Sequence, residues 1–154
     1  MNIFRLILAL GVGALLVFFG VTKFTGAAHI FPFIEYNATA LGVPLASLAW
    51  PFGNYATGTL ELLAGILLIV PGTRKLGAHI AVLPFLGATI FHLSPLLGIS
   101  TPTGYADPLP TAALSAGGPF VRTDFAAGET TALFMTAAIG FLLAVINLIV
   151  QRAR

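Results

Sequence analysis

Lys23, Glu61, His92 and Glu129 are the residues of this sequence whose types could do chemistry together. Each stands inside or at the end of a long apolar segment, and each of four such segments contributes one. A lysine, two carboxylates and an imidazole can pair with one another, hold a polar headgroup or exchange protons. Glu and His suit proton exchange because burial moves their pKa values toward neutrality. If each segment is a helix rising ~1.5 Å per residue, His92 lies ~9 Å below the end of its segment and Glu61 ~9 Å below Tyr55. Lys23 closes the first segment and Glu129 opens the fourth, so all four share one third of the membrane depth.

Three chemistries compete for this cluster. An ion-pair clamp would fix helix packing, because intramembrane charges cost ~2.5–3.5 kcal/mol each on insertion scales and normally find partners. A polar pocket would hold a quinone or lipid headgroup. A metal site would draw on His92, Glu61, Glu129 and His29, although these residues lack metal-ligand spacing. Haem held by His79 and His92 is excluded, since the two stand ~20 Å apart along one helix. Only His29, in a loop, could partner His92. His79, close to Arg74 and Lys75, belongs at the membrane interface.

The segments that must position these residues run over residues 3–24, 55–70, 76–98 and 126–150. A helix crossing ~30 Å of hydrocarbon needs about 20 residues, so the first, third and fourth span easily. The second is short and spans only if helix continues through residues 53–59 or the bilayer thins. Of the 154 residues 58% are hydrophobic and only 8% charged, where a soluble domain averages roughly 25% charged. These proportions imply one all-α membrane domain, a four-helix bundle surrounded by lipid. No basic stripe exists for nucleic acid. The absence of cysteine excludes disulfides, thiolate metal sites and iron–sulfur clusters.

Arg5, Arg74, Lys75, Arg152 and Arg154 fall on one side of such a bundle, and only Lys23 and Arg122 on the other. The positive-inside rule then places both termini in the cytoplasm. Pro71-Gly72-Thr73 makes a tight turn between the second and third helices. The outer connections, residues 25–54 and 99–125, are long, apolar and rich in Pro, Gly and aromatics. They are expected to form a cap with a short interfacial helix around residues 31–41, and Trp50, Tyr55 and Tyr105 suit the headgroup belt. Small residues spaced by four, at Ala9/Gly13, Gly77/Ala81 and Gly140/Ala144, allow close helix packing. Pro84 is expected to kink the third helix.

A weak repeat relates the halves. Gly20-x-Thr22-x-Phe24 recurs as Gly87-x-Thr89-x-Phe91, and Pro51-Phe52 before Glu61 recurs as Pro119-Phe120 before Glu129. It would make Glu61 and Glu129 pseudo-symmetric partners about an axis along the membrane normal.

Gly20-Val21-Thr22-Lys23-Phe24 resembles the G-x-x-K-[LF] signature of DoxX-like membrane proteins. Gly58-x-x-Glu61-x-x-x-Gly65 before Pro71, followed by Arg74-Lys75-x-Gly77, resembles that family's second and third helices. Gly87-Ala88 with Phe91-His92 is similar to its A-x-x-H stretch. The long outer loops with Glu129 resemble the reactive-chlorine-resistance branch. The resemblance covers nearly the whole chain and is most specific over residues 58–92. It implies a multi-pass protein of the bacterial inner membrane. The name-giving relatives are small subunits of a thiosulfate:quinone oxidoreductase, and others associate with oxidative-stress enzymes. It also implies that Lys23, Glu61 and His92 occupy the family's polar positions, without assigning them catalytic roles. The missing cysteines depart from some members and put thiol chemistry in doubt.

Three functions follow as expectations. The first is an accessory subunit, without catalysis of its own, that docks to protein partners in a redox or bioenergetic complex. The second is a quinone-linked oxidoreductase component binding a quinone or lipid headgroup near Glu61 and His92. The third is a solute or proton permeation protein, which the apolar inner half disfavours.

Overall fold

A computed structural model describes residues 3–152 of the chain. Among these residues four helices are long and apolar enough to cross a bilayer. In hydrocarbon every backbone N–H and C=O must be satisfied within the chain, and apolar runs of this length meet that demand as helices. Helix α1 is Ile3–Phe24 and a short helix α2 is Ile30–Ala40. Then come a 3₁₀ turn, Ala46–Leu48, a π-type turn, Ala49–Gly53, and helix α3, Asn54–Ile69. Helix α4 is Arg74–His92, α5 is the six-residue Thr111–Ala116 and α6 is Ala132–Arg152. Strands β1, Thr101–Pro102, and β2, Glu129–Thr130, pair antiparallel.

Three boundaries differ from expectation. The short second segment gains its length from the turns ahead of it, so Ala46–Ile69 forms one apolar stretch of 24 residues. The third helix stops at His92 instead of reaching residue 98. Pro95 disfavours helical backbone at Ser94, and Gly98, with φ +81°, turns the chain back. The fourth helix opens at Ala132, six residues late. Residues 129–130 are held in strand β2, and the Thr130 hydroxyl accepts a hydrogen bond from the Ala132 amide at 3.1 Å, in the manner of a helix cap.

The four long helices form two tight pairs. In the first, α1 and α3 run antiparallel with their backbones almost touching. A Cβ built on Gly65 would lie 2.8 Å from the Gly13 carbonyl, and one on Gly20 would lie 3.0 Å from the Gly58 carbonyl. The two crossings are seven residues apart on each helix, about two turns. In the second pair, a Cβ on Gly140 of α6 would overlap the Phe85 ring of α4. Near the Pro71–Thr73 turn, Gly77 meets the backbone of Leu67 and Leu68 and joins the pairs. The buried core Ala9, Val12, Leu16, Leu68, Ala81 and Ala144 fills this end. Here Gln151 donates to Asn147 at 3.3 Å, and Arg152 donates to His79 Nε2 at 2.8 Å. The small-residue pairs read from the sequence therefore find partners inside the chain.

At the opposite end the pairs are bridged by the cap. Phe33, Ile34, Trp50, Leu97, Phe120 and Phe125 form its own core. Asn37 donates to the Leu96 carbonyl at 3.0 Å, and the Tyr105 hydroxyl donates to Ala28 at 3.0 Å. Trp50, expected at the headgroup belt, is instead 5% exposed and packs edge-on against Phe120. Helix α2 matches the expected interfacial helix within a residue at each end.

Gly65→Ala is expected to lower thermal stability in detergent by about 1–3 kcal/mol through overpacking. Gly11→Ala, whose new methyl meets nothing within 4 Å, is the control and should leave melting unchanged or slightly higher. Equal melting of the two variants would show that the α1–α3 crossing tolerates separation.

Candidate functional site

Between the helix-packed end and the cap lies a cavity of about 350 Å³. All four spanning helices line it, and α2 lies across it through Ile30, Phe31 and Ile34. Phe18, Leu83 and Phe85 make its walls largely apolar. The polar groups gather at the cap end. Lys23, at the end of α1, donates to Glu61 Oε2 of α3 at 2.7 Å, and both side chains are about nine-tenths buried. The glycine crossings bring this pair together. A Cβ on Gly58 would meet the Lys23 Cβ at 3.0 Å and the Phe24 ring at 2.9 Å, so only a bare backbone lets Lys23 reach Glu61 one turn further along α3. Asn54, fully buried at the start of α3, donates to the Lys23 carbonyl at 2.8 Å and fixes the end of α1.

Two histidines complete the lining. His92 Nδ1 bonds the Gly98 carbonyl at 2.8 Å, and His29 Nε2 bonds the Pro102 carbonyl at 2.8 Å. A carbonyl only accepts, so each ring commits one N–H to backbone. Its second nitrogen is then an acceptor whenever the ring is neutral. Among the described residues neither second nitrogen has a hydrogen-bond partner, and both residues line the cavity. Burial holds the His29 pKa below the usual histidine value, which favours its neutral form. Both bonds depend on the connections. The tight turn after α4 returns Gly98 to His92, and the β1–β2 pairing holds Pro102 above His29.

The structure thus brings Lys23, Glu61 and His92 to one cavity and leaves Glu129 elsewhere. Glu129 is exposed on β2, opposite Pro102, and accepts a hydrogen bond from Ser100 at 2.9 Å. It opens no helix, so it is not a counterpart of Glu61, and the repeat does not extend to their surroundings. Among the described residues no three His, Asp or Glu side chains converge as a metal site requires. His29 stands in the site instead of Glu129.

Two residues of consequence carried little signal in the sequence. Asn54 was hidden as the first polar residue after an aromatic turn. Glu35 falls in the expected short helix with nothing to mark it for burial, yet it is 4% exposed within the aromatic cap, and its Oε2 has no hydrogen-bond partner among the described residues. Gly118, with φ +95°, gives it room, since a Cβ there would overlap the carboxylate. Burial raises the Glu35 pKa above the ordinary carboxylate value.

The fold makes this chain a multi-pass helical membrane protein with a capped, largely apolar cavity that carries polar groups at one end. Comparison with protein-family models, curated proteins and solved structures yields no match.

Two outcomes test the site. Glu61→Ala leaves the Lys23 ammonium buried and unpaired, which should lower stability by about 3–5 kcal/mol, whereas Lys23→Met with Glu61→Leu should recover most of the loss. A double variant as unstable as Glu61→Ala would mean that the pair is not the source. For Glu35, a folded pKa above the unfolded one gives stability that is present at low pH and lost as pH rises through the folded value. Glu35→Gln should therefore melt like the parent at pH 4.5 and above it at pH 8. The same melting difference at both pH values would remove the buried charge as its cause.

Proposed function

We propose that this protein binds the headgroup of a lipid-soluble quinol in the capped cavity, as a membrane component of a redox system. The observation that carries the reading is the pair of imidazoles, His29 and His92, each with one N–H spent on a backbone carbonyl and a second nitrogen left over, lining the same cavity as the Lys23–Glu61 pair. A diphenol has two O–H donors and an apolar ring. Neutral imidazoles accept from the first, and walls such as Phe18 and Leu83 suit the second. An oxidised quinone has only acceptors, so it meets the histidines poorly and must rely on the Lys23 ammonium. The site chemistry therefore favours the reduced form. Proton release from a quinol has ready acceptors in the same two rings.

Sequence features support the setting. The resemblance to DoxX-like proteins implies a redox context and a bacterial inner membrane, with Lys23, Glu61 and His92 at the family's polar positions. Arg5, Arg74, Lys75 and Arg152 stand toward the helix-packed end, which by the positive-inside rule faces the cytoplasm and puts the cap outside. The accessory-subunit reading rests on broad apolar helix faces, such as Ile7, Ile66 and Ile139. A bilayer covers such faces equally well, so they select no protein partner. The permeation reading lacks a polar path, because the core around Leu16 and Leu68 closes the helix-packed end.

The test is binding of a tailless dimethoxy-benzoquinol and its quinone to purified protein in nanodiscs. At about 0.5–1.5 kcal/mol for each hydrogen bond, losing two predicts that the quinol binds roughly five- to 150-fold more tightly. His92→Phe should remove much of that preference. Equal affinity for both redox forms, or binding indifferent to His92, would overturn the reading.

A further inference from the structure

We propose that the bound molecule carries a long hydrocarbon tail, and that the tail leaves the cavity between α3 and α4 to lie in a groove beneath residues 43–53. This rests on the quinol reading and extends it from the headgroup to the whole ligand. A second hollow, about 390 Å³, lies between α2 and the turns that precede α3. Phe31, Ile34, Thr57 and Phe91 line both it and the headgroup cavity. These four side chains set the two spaces next to one another, and the proposed tail route crosses between them at a throat with Thr57 on the α3 side and Phe91 on the α4 side.

The chemistry changes across that throat. On the cavity side stand Lys23, Glu61 and the two histidines; on the groove side stand Val43, Leu45, Leu48 and Phe52, with no ionisable side chain. Leu45, Leu48 and Phe52 are each more than half exposed, so the groove is open along its outer side. An amphipathic molecule with its polar ring at Lys23–Glu61 would place a chain in this groove without burying a polar atom in it. The groove is also at a suitable level. Residues from Ala46 onward belong to the apolar stretch that ends at Ile69, so a tail lying there emerges toward acyl chains. Gly77 holds α3 against α4 at the turn end, whereas toward the cap end Thr57 of α3 and Phe91 of α4 both line the hollow space.

The experiment uses a quinol bearing a ten-carbon tail tipped with a diazirine, photolysed on the full chain in nanodiscs and mapped by peptide mass spectrometry. Adducts are expected to concentrate on residues 43–52. Ala46→Trp, which fills the groove outside the headgroup cavity, should cut them at least fivefold while the tailless quinol still binds as in the parent. Leu48→Trp serves as a second filling variant should the first fold poorly. Adducts spread over the lipid-facing sides of α1 and α6, unchanged by either tryptophan while the tailless quinol binds, would overturn the tail route alone. Failure of the tailless quinol to bind the parent would overturn the headgroup reading and the tail route with it.

Discussion

The closeness of α1 to α3 is the constraint on which the remaining structure depends. Gly13 faces Gly65 and Gly20 faces Gly58, with backbone atoms where side chains would ordinarily stand. Hydrocarbon tails solvate apolar side chains as well as other helices do, so membrane helices associate through packing and polar contacts. Bare glycine faces maximise the first of these. They also set up the second, because Gly58 is the position that admits Lys23 to Glu61 and lets Asn54 reach the Lys23 carbonyl. The ion pair is thus a consequence of the crossing as well as a support for it.

The second pair, α4 and α6, is built differently, by a ring lying over a glycine. Phe85 occupies the space that a side chain at Gly140 would fill. The two pairs are drawn together at one end by the short turn and the Gly77 contact, and bridged at the other by a cap with its own aromatic core. Two packed regions joined in this way leave the space between them unfilled, and that space is the cavity. The cap takes part in the site as well as covering it. His29 belongs to the connection into α2, and the carbonyls that orient both imidazoles, Pro102 and Gly98, belong to the connection after α4.

Much of this was legible in the sequence, and what was not has a common cause. Helix α1 and the body of α3 are long apolar runs that the bilayer leaves little choice but to be helical, and both were placed within a residue at each end. An unpaired charge at that depth is costly, so Lys23 is expected to pair with Glu61 or Glu129, and the structure selects Glu61 at 2.7 Å. The errors lie where apolarity stops deciding. Residues 93–98 are about as apolar as the helix before them, and Ala126-Ala127 extends the fourth apolar run toward the chain start, yet Pro95 and a two-residue strand pairing end one helix early and start the other late. Glu129 was misplaced for that reason. The Gly13/Gly20 and Gly58/Gly65 pattern has a spacing of seven, so a search for small residues four apart passed over it. Glu35 and Asn54 could not have been identified locally, because their burial comes from segments distant in the chain, such as Gly118 for the one and the end of α1 for the other.

The balance of charge in the cavity bears on what the site can hold. Lys23 and Glu61 neutralise one another at 2.7 Å, so no net charge recruits an ion, and a small anion would have to compete with Glu61 for the lysine. Neutral imidazoles add acceptors and no charge. A neutral ligand with hydrogen-bond donors and a substantial apolar body can replace what water gives these groups, and the apolar walls then favour it over water. A charged headgroup would instead leave either Lys23 or Glu61 opposed by a like charge in a poorly solvated space. The same glycine crossing that fixes the ion pair would therefore bias the cavity toward neutral amphipathic molecules, and it does so from within the wall, since Phe19 beside Gly20 and Thr57 beside Gly58 line the space.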